Sequence, residues 1–376
     1  MKIGVPRETA AGERRIALVP ESAKKLVEQG NEVVIEKARS ASVDFPDAAY
    51  TAAGARIAAD AGEVLAGSDL VLKIQPPSEA EIASLRTGAV LVAILQPFQN
   101  GDTVRRLAEK SVTSFSLDLL PRITRAQAMD VLSSMSTIAG YKGVLIAAAA
   151  LPKMVPLLMT AAGTLKPARF LILGVGVAGL QAIATARRLG AVVEAFDIRP
   201  AVKEQVESLG ARFVDTGTED AETAGGYARE LSAEGKAKQA AVLAAHVAKA
   251  DACITTALIP GRRAPQIVTR AMVEGMRAGS VIIDAAAEMG GNCELTRAGE
   301  RVDHGGVTVI GAVDLPSALA VHASQMFSRN VTKLIEHLCD KDGSLRLDAD
   351  DEIVRAVVMA HGGQLKAGLF GKEENR

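Results

Sequence analysis

The sequence predicts an α/β fold of two domains, each built on a parallel sheet, and three observations lead to this prediction. Short apolar runs alternate with helical patterns along the 376 residues, which is typical of βαβ units. A second complete series of the same kind begins after Pro167. The composition is 48% hydrophobic but only 3% aromatic, so aliphatic side chains must fill the cores between sheets and helices.

The first series predicts a domain of residues 1–134, completed by the C-terminal residues 317–376. Its apolar runs are KIGV, EVVIE, DLVLKI, AVLVAIL and VTSFSL, and helical patterns such as PESAKKLVEQG and DTVRRLAEK lie between them. Pro20 suits the first position of the first helix and Gly30 suits its C-terminal end. Near the C-terminus the pattern is helical from Ala318 to Leu338, and a polar tail follows.

The second series predicts a domain of residues 135–316. Its apolar runs are RFLILG, VVEAFD, RFVD, ACITTA, VIIDAA and VTVIG, with helical patterns between them. This is the pattern of a doubly wound sheet. Residues 215–235 are polar and contain glycine, and they are longer than most connections in such folds. Loops of that length are usually functional or mobile.

Charge and cysteine content exclude several classes of protein. The 43 basic and 44 acidic residues give a net charge of −1, and no basic cluster is present, which argues against nucleic acid as a partner. Cys253, Cys293 and Cys339 are far apart in the sequence, so we expect inert thiols in a reducing compartment and no metal site. The N-terminus lacks the apolar core of a signal peptide.

Residues 143–163 are apolar enough to raise the question of a membrane span. Pro152, Lys153 and Pro156 interrupt this stretch, and Pro156 would break a helix near its centre. We therefore interpret it as a buried interdomain helix followed by a bend. The expectation is a soluble, cytoplasmic chain without a membrane span of its own.

The clearest motif is a glycine-rich turn that follows the strand RFLIL and opens a helix. It contains Gly174, Gly176 and Gly179 in the GxGxxG spacing. The first glycine allows the tight turn, the second lets a pyrophosphate approach the backbone, and the third lets helix and strand pack closely. Asp197 ends the following strand, where a carboxylate can accept hydrogen bonds from a ribose 2′-hydroxyl and would repel a 2′-phosphate. This pattern favours NAD(H) over NADP(H).

A second polar segment runs from Pro121 to Ser134. Thr124 and Gln127 fit a capping box, which would explain both residues structurally. On a helix, Gln127, Asp130 and Ser133 would lie along one stripe, with Arg122 just before it. Such a stripe is either a solvated face or part of a site, and spacing alone leaves both interpretations open.

Three segments together resemble the NAD(H)-binding component of proton-translocating nicotinamide nucleotide transhydrogenase, within the alanine dehydrogenase superfamily. They are residues 122–130, the run GVGVAGLQAIATARRLGA and the run ETAGGYA. The resemblance implies two Rossmann-like domains with an interdomain cleft, and a homodimer on the cytoplasmic face of the inner membrane. It also implies an NADP(H)-binding partner subunit and a membrane-spanning subunit, with hydride transfer coupled to proton translocation. Little activity is expected without those partners.

The same resemblance assigns roles to individual residues. It places the nicotinamide end of NAD(H) at Arg122, Gln127, Asp130 and Ser133, where Gln127 and Asp130 position the ring rather than act as acid or base. It places the pyrophosphate at Gly174, Gly176, Val177 and Gly179, and the adenosine ribose at Asp197, Ile198 and Arg199. A mobile loop that closes over the nucleotide would contain Gly225, Gly226 and Tyr227.

An NAD-dependent alanine dehydrogenase is the alternative function. In that branch an Arg and a Lys, matching Arg15 and Lys73 here, bind the substrate, and a His exchanges protons with it. This chain has Gln96 where the His is expected. Oxidative deamination needs a positioned acid or base, whereas hydride exchange between two nicotinamides needs only orientation, so Gln96 favours the transhydrogenase. Arg15 and Lys73 would then pair with nearby carboxylates. A non-enzymatic NAD sensor is a third possibility, against which the stripe near Gln127 argues.

Overall fold

The computed structural model describes residues 1–38, 45–217, 233–259, 262–340, 344–348 and 350–369. Gly225, Gly226 and Tyr227, with most of the polar stretch around them, lie outside these described residues. The chain divides into two units. Unit 1 comprises Met1–Met135 and Ser317–Arg376, and unit 2 comprises Ser136–Pro316.

The strands of the described residues are numbered here in chain order. They are β1 Lys2–Val5, β2 Glu32–Glu36, β3 Arg56–Ala58, β4 Leu70–Leu72, β5 Val90–Ala93, β6 Thr113–Ser116, β7 Leu158–Thr160, β8 Gly163–Leu165, β9 Arg169–Leu173, β10 Val192–Phe196, β11 Arg212–Phe213, β12 Ala252–Thr255, β13 Val281–Asp284, β14 Arg301–His304, β15 Val307–Gly311, β16 Val358–His361 and β17 Gln364–Leu365.

The helices follow the same order. They are α1 Pro20–Glu28, α2 Asp47–Ala52, α3 Ala61–Gly67, α4 Glu79–Ser84, α5 Gly101–Glu109, α6 Val131–Ala150, α7 Val177–Arg188, α8 Lys203–Ser208, α9 Ala233–Val247, α10 Arg270–Glu274, α11 Ala320–Leu338, α12 Glu352–Val357 and α13 Lys366–Leu369. Short 3₁₀ helices cover Leu117–Leu119, Thr124–Met129, Pro200–Val202, Ala287–Met289 and Ser317–Leu319.

Unit 1 is built on a sheet of eight strands in the order β17-β16-β6-β5-β4-β1-β2-β3. The strands from β6 to β3 are parallel, as predicted, whereas β16 pairs antiparallel with β6 and with β17. The C-terminal segment, which reads as a polar tail, therefore supplies a buried strand and two short helices. Its apolar run VVMA is only four residues long, too short to be told from a loop without its partner strand.

Unit 2 is built on a sheet of seven strands in the order β11-β10-β9-β12-β13-β15-β14. All of its pairs are parallel except β14 with β15, which confirms the predicted parallel α/β architecture. Along β9, Phe170 and Ile172 belong to one apolar core, and Leu171 and Leu173 belong to another. Both faces of the strand are covered, so its sequence is continuously apolar rather than alternating.

Helix α6 differs from the prediction at both ends. It begins at Val131 and ends at Ala150, just before Pro152, and the residues that follow form the antiparallel hairpin β7–β8 instead of a bend in a longer helix. Within the described residues, α6 alone is long and apolar enough to cross a membrane, judged by length and composition. Inside unit 2, Gly140 of this helix packs against the backbone of Ala178, which is the packing of a core helix.

Candidate functional site

The glycine-rich turn lies where β9 ends and α7 begins. Gly174 has a φ of +92°, a conformation that residues with a Cβ rarely adopt. A Cβ there would also lie 2.9 Å from the backbone nitrogen of Ala257, so the turn is closely packed on that side. Gly176 forms the N-cap of α7 without a side-chain cap, which leaves the first backbone N–H groups of the helix available to an anion.

The other two glycines of the motif meet different surroundings. A Cβ on Gly179 would overlap the carbonyl oxygen of Gly174 and lie 2.9 Å from the carbonyl carbon, so α7 packs directly on the turn. A Cβ on Gly176 would meet nothing within 4 Å, so this backbone faces open space. Val177, the first residue of the helix, is exposed beside it. The turn thus combines the tight bend, the open approach and the close packing that a pyrophosphate site requires.

Asp197 lies directly after β10 and is bound to the same turn. Its carboxylate accepts a hydrogen bond of 2.7 Å from the backbone N–H of Val175. It also accepts bonds from the backbone and the guanidinium of Arg199, at 2.9 Å from the backbone nitrogen and 2.9 Å from Nε. Asp197 is therefore largely buried and paired, while Ile198 between the two charged residues is exposed.

Large apolar side chains are exposed at the same edge of the unit 2 sheet. Val177 follows β9, Ile198 follows β10, and Leu258 and Ile259 follow β12. These three strands are adjacent and parallel, so the residues after their carboxyl ends lie along one edge, at the point where the strand order reverses. Ligands of doubly wound folds bind at this position, and exposed apolar side chains there are typical of a binding surface. Sequence reasoning missed Leu258 and Ile259, because LIP after a strand resembles any connecting loop.

In unit 1 the polar segment around Gln127 is not one continuous helix. Thr124–Met129 is a 3₁₀ helix whose N-cap is Ile123, so the predicted capping box of Thr124 and Gln127 is wrong. Asp130 is extended and separates this turn from α6, because its φ is −73° and its ψ is 91°. The predicted single stripe is therefore broken at Asp130, and both Gln127 and Arg122 are exposed.

Asp130 and Ser133 bind each other. The Asp130 carboxylate accepts hydrogen bonds from the Ser133 backbone N–H at 2.9 Å and from the Ser133 hydroxyl at 2.6 Å. This is the geometry of an N-cap, so Asp130 stabilises the start of α6. The segment before it is held by Asn330 of α11, whose side-chain amide donates to the carbonyl of Ala128 at 2.8 Å. Gln127 is thus an exposed amide on a fixed turn.

Arg15 and Lys73 are both paired inside unit 1. Lys73 is only 1% exposed, and its Nζ lies 2.7 Å from a carboxylate oxygen of Glu81 and 3.3 Å from one of Glu8. Arg15 is bound by Glu13 at 2.5 Å, and Glu13 also accepts a hydrogen bond from the Ser317 hydroxyl. These contacts agree with the structural interpretation of the two cations.

The Glu13 carboxylate predicts an acid-sensitive contribution to stability. Burial raises its pKa, but the hydrogen bond and the charge of Arg15, with Ser317 and Gln75, outweigh burial and bring the pKa to about 2. Because this pKa is below the unfolded value, the stabilisation is present above about pH 4.5 and is lost as the pH falls toward 2. We expect Glu13→Gln to lower the free energy of unfolding by about 1–3 kcal/mol at pH 7.

Urea unfolding from pH 7 to pH 2.5 would measure this effect. The difference between wild type and Glu13→Gln should shrink as the pH falls below about 4.5. Glu28→Gln, which alters an exposed carboxylate of α1, serves as the matched control. A difference that stays constant over this range would contradict the assignment.

Comparisons with known proteins agree with this arrangement. The family model "Alanine dehydrogenase/PNT, N-terminal domain" matches residues 4–139, and "Alanine dehydrogenase/PNT, C-terminal domain" matches residues 143–367. The chain belongs to this family. It is 46% identical over 374 residues to the first of the two chains that make up the NAD(P) transhydrogenase alpha subunit of Rhodospirillum rubrum, and the match covers 97% of each chain.

A solved structure and a more distant relative place the chain within the family. The transhydrogenase from Sinorhizobium meliloti superposes with a TM-score of 0.88 at 43% identity, covering 97% of this chain and all of that one. The alanine dehydrogenase of Halomonas elongata is 29% identical, covering 99% of this chain and 98% of its own. The chain is therefore closer to the transhydrogenase alpha subunits than to this dehydrogenase. Gln96 agrees with this, since it stands where the dehydrogenase branch is expected to carry a His.

Proposed function

We propose that this chain is the NAD(H)-binding subunit of a proton-translocating nicotinamide nucleotide transhydrogenase. In this function, hydride passes between NAD(H) on this chain and NADP(H) on a partner subunit. The observation that supports it most is Asp197, a buried carboxylate bound to the glycine-rich turn at the end of β10. NAD(H), when bound, supplies or accepts the hydride at C4 of its nicotinamide. The residues of the chain bind, orient and exclude water.

The preference for NAD(H) follows from the charge at Asp197. A ribose 2′-hydroxyl can donate to this carboxylate, whereas a 2′-phosphate would be repelled by it. Arg199 is paired with the same carboxylate, through Nε at 2.9 Å and Nη2 at 3.1 Å, so its charge is not free for a phosphate. The adenosine end of the nucleotide therefore lies beside Asp197, Ile198 and Arg199 in this proposal.

We expect Asp197→Ala to weaken NADH binding about tenfold and to narrow or reverse the preference over NADPH. The substitution removes the acceptor of the ribose hydroxyl and releases Arg199, which can then bind a 2′-phosphate. Fluorescence titration with each nucleotide measures both dissociation constants, with Glu300→Ala, an exposed carboxylate of unit 2, as the control. An unchanged ratio of the two constants would remove Asp197 from the ribose site.

The nicotinamide end would bind at Arg122, Gln127, Asp130 and Ser133. Hydride exchange between two nicotinamides needs no general acid or base on this side, so the residues act by orientation. Asp130 is held by Ser133 and caps α6, which suits a positioning residue rather than a proton donor. Gln127 is exposed on the turn before it and can bind the carboxamide of the ring.

Gln127→Asn should spare NADH affinity yet slow hydride transfer about tenfold in a complex reconstituted with an NADP(H)-binding subunit. The amide is kept but its reach is one methylene shorter, so the ring is held in a less productive orientation. Single-turnover reduction of an NADP analogue gives the rate. The exposed Gln99→Asn of unit 1 is the control. An unimpaired rate would leave Gln127 without a role in orientation.

The other partners follow from the same proposal. A membrane-spanning subunit would carry the proton, and this chain would sit on the cytoplasmic face of the inner membrane through it. The hairpin β7–β8 and the residues before it expose Met154, Leu157, Met159 and Leu165, with Met159 73% exposed. Such a contiguous apolar surface suits an interface, and we assign it to a homodimer. Light scattering of the purified chain would then give twice its monomer mass.

One experiment separates this function from alanine dehydrogenase. The purified chain is first shown to bind NADH by fluorescence, and NADH absorbance at 340 nm is then followed with pyruvate and ammonium. Binding without turnover supports the transhydrogenase subunit, and addition of an NADP(H)-binding subunit should then start hydride transfer. Rapid oxidation with formation of alanine would overturn the proposal and require another residue to replace the missing His.

A further inference from the structure

We infer that Asn292 is a positioning residue for the dinucleotide, because its side-chain amide holds residues 256–259 against the first glycine of the turn. This inference rests on the proposed function and deepens it by identifying how the second wall of the same site is built. The wall follows β12, and the glycine-rich turn follows the adjacent strand β9.

The amide of Asn292 is fully buried and fully paired. Its Oδ1 accepts a hydrogen bond from the backbone N–H of Ala257 at 3.0 Å. Its Nδ2 donates to the carbonyl of Ala257 at 2.8 Å and to that of Pro265 at 2.7 Å. Both backbone groups of Ala257 are thus bound by one side chain, as a neighbouring strand would bind them. No other side chain of this length offers a donor and an acceptor side by side.

Ala257 in turn lies against the turn itself. The Cα of Ala257 lies 3.1 Å from the position that a Cβ on Gly174 would take. The preceding Thr256 donates its hydroxyl to the carbonyl of Gly174 at 2.9 Å. Asn292 therefore determines how closely the loop after β12 approaches the pyrophosphate turn. Leu258 and Ile259 follow at once and are 53% and 39% exposed, so the same clamp sets where this apolar surface stands.

The backbone of Asn292 is itself fixed by Asp284. This carboxylate is fully buried and accepts the backbone N–H of Asn292 at 2.7 Å and that of Cys293 at 2.9 Å. It also accepts the hydroxyl of Thr255 at 2.9 Å and that of Thr296 at 2.6 Å. Because Asp284 ends β13 and Thr255 ends β12, the carboxyl ends of two neighbouring strands are joined. The clamp therefore stands on the rigid sheet rather than on a loop.

This arrangement suits a ligand with a ring next to a pyrophosphate. The glycine-rich turn offers backbone N–H groups to the phosphates, and Leu258 offers an apolar surface immediately beside them. A ring attached through ribose to that pyrophosphate would lie on this surface. Asn292 touches neither group and acts only through Ala257 and Leu258.

The test compares Asn292→Asp, Leu258→Ser and the double variant in the full chain. Asn292→Asp keeps the shape but loses the two donors and directs a carboxylate at two carbonyls, so we expect NADH affinity to fall about tenfold or more. Leu258→Ser changes an exposed side chain and should also weaken NADH binding while leaving the melting temperature unchanged. Because Asn292 acts through this segment, the double variant should bind NADH no more weakly than Asn292→Asp alone.

Ser280→Ala is the matched control, since Ser280 is a buried polar residue of unit 2 at the opposite, amino end of β13. It should lower stability without changing NADH affinity. Losses that simply add in the double variant, or Asn292→Asp binding NADH as tightly as wild type, would overturn the positioning role. A wild-type chain that fails to bind NADH would instead contradict the proposed function, so the two failures are distinguishable.

Discussion

Gly179→Ala should abolish measurable NADH binding and lower the stability of unit 2 by about 3 kcal/mol. The added methyl group would overlap the carbonyl oxygen of Gly174, which is backbone and cannot rotate away. Helix α7 must then move off the turn, and its N-terminal N–H groups move with it. Urea unfolding measures the stability, and fluorescence titration measures the affinity.

Two further glycine variants separate packing from ligand approach. Gly176→Ala has open space around its new methyl group and a φ of −80°, so stability should stay within about 0.5 kcal/mol of wild type. Its methyl group would stand where the pyrophosphate approaches, so affinity should still fall. Gly101→Ala, at the start of α5 in unit 1, should change neither quantity. Normal NADH binding by Gly179→Ala would mean that the turn is not the pyrophosphate site.

Lys73→Met should destabilise the protein by about 3–5 kcal/mol at pH 8, because it leaves two buried carboxylates without their cation. Lys73 is the shared partner of Glu8 and Glu81, both of which are nearly inaccessible to solvent. Burial already raises the pKa of Glu8, against the opposing charge of Lys73 and the backbone N–H of Ile74. Without Lys73 that pKa rises further.

The pH dependence of this variant has a defined sign. A carboxyl whose folded pKa is above its unfolded value destabilises the folded state as the pH rises above about 4.5, and this cost is absent below that value. The deficit of Lys73→Met should therefore be smaller at pH 5 than at pH 8. Lys24→Met, on the exposed face of α1, is the control and should change stability by less than about 0.5 kcal/mol. An equal deficit at both pH values would show that lost packing, not charge, is responsible.

The two predicted patterns of the site differ in how far local sequence could describe them. The glycine spacing and the Asp at the end of the next strand are local features, and the structure places both at the turn between β9 and α7. The segment around Gln127 is also local, yet its helix is interrupted. Asp130 caps α6 instead of continuing the preceding turn, since its carboxylate binds Ser133. Capping and continuation use the same residue types, so the pattern alone could not separate them.

The sequence by itself determined the α/β class, the parallel sheets, the pyrophosphate turn and the absence of the expected His, because periodicity and motif spacing act over a few residues. The tertiary structure alone decided which groups are brought together across the chain. Asn292 binds Ala257, 35 residues away, and Asn330 binds Ala128, 202 residues away. Lys73 became a buried structural cation only because β1 and β4 are neighbours. Buried polar groups must be paired, and their partners are set by strand order, which no local pattern encodes.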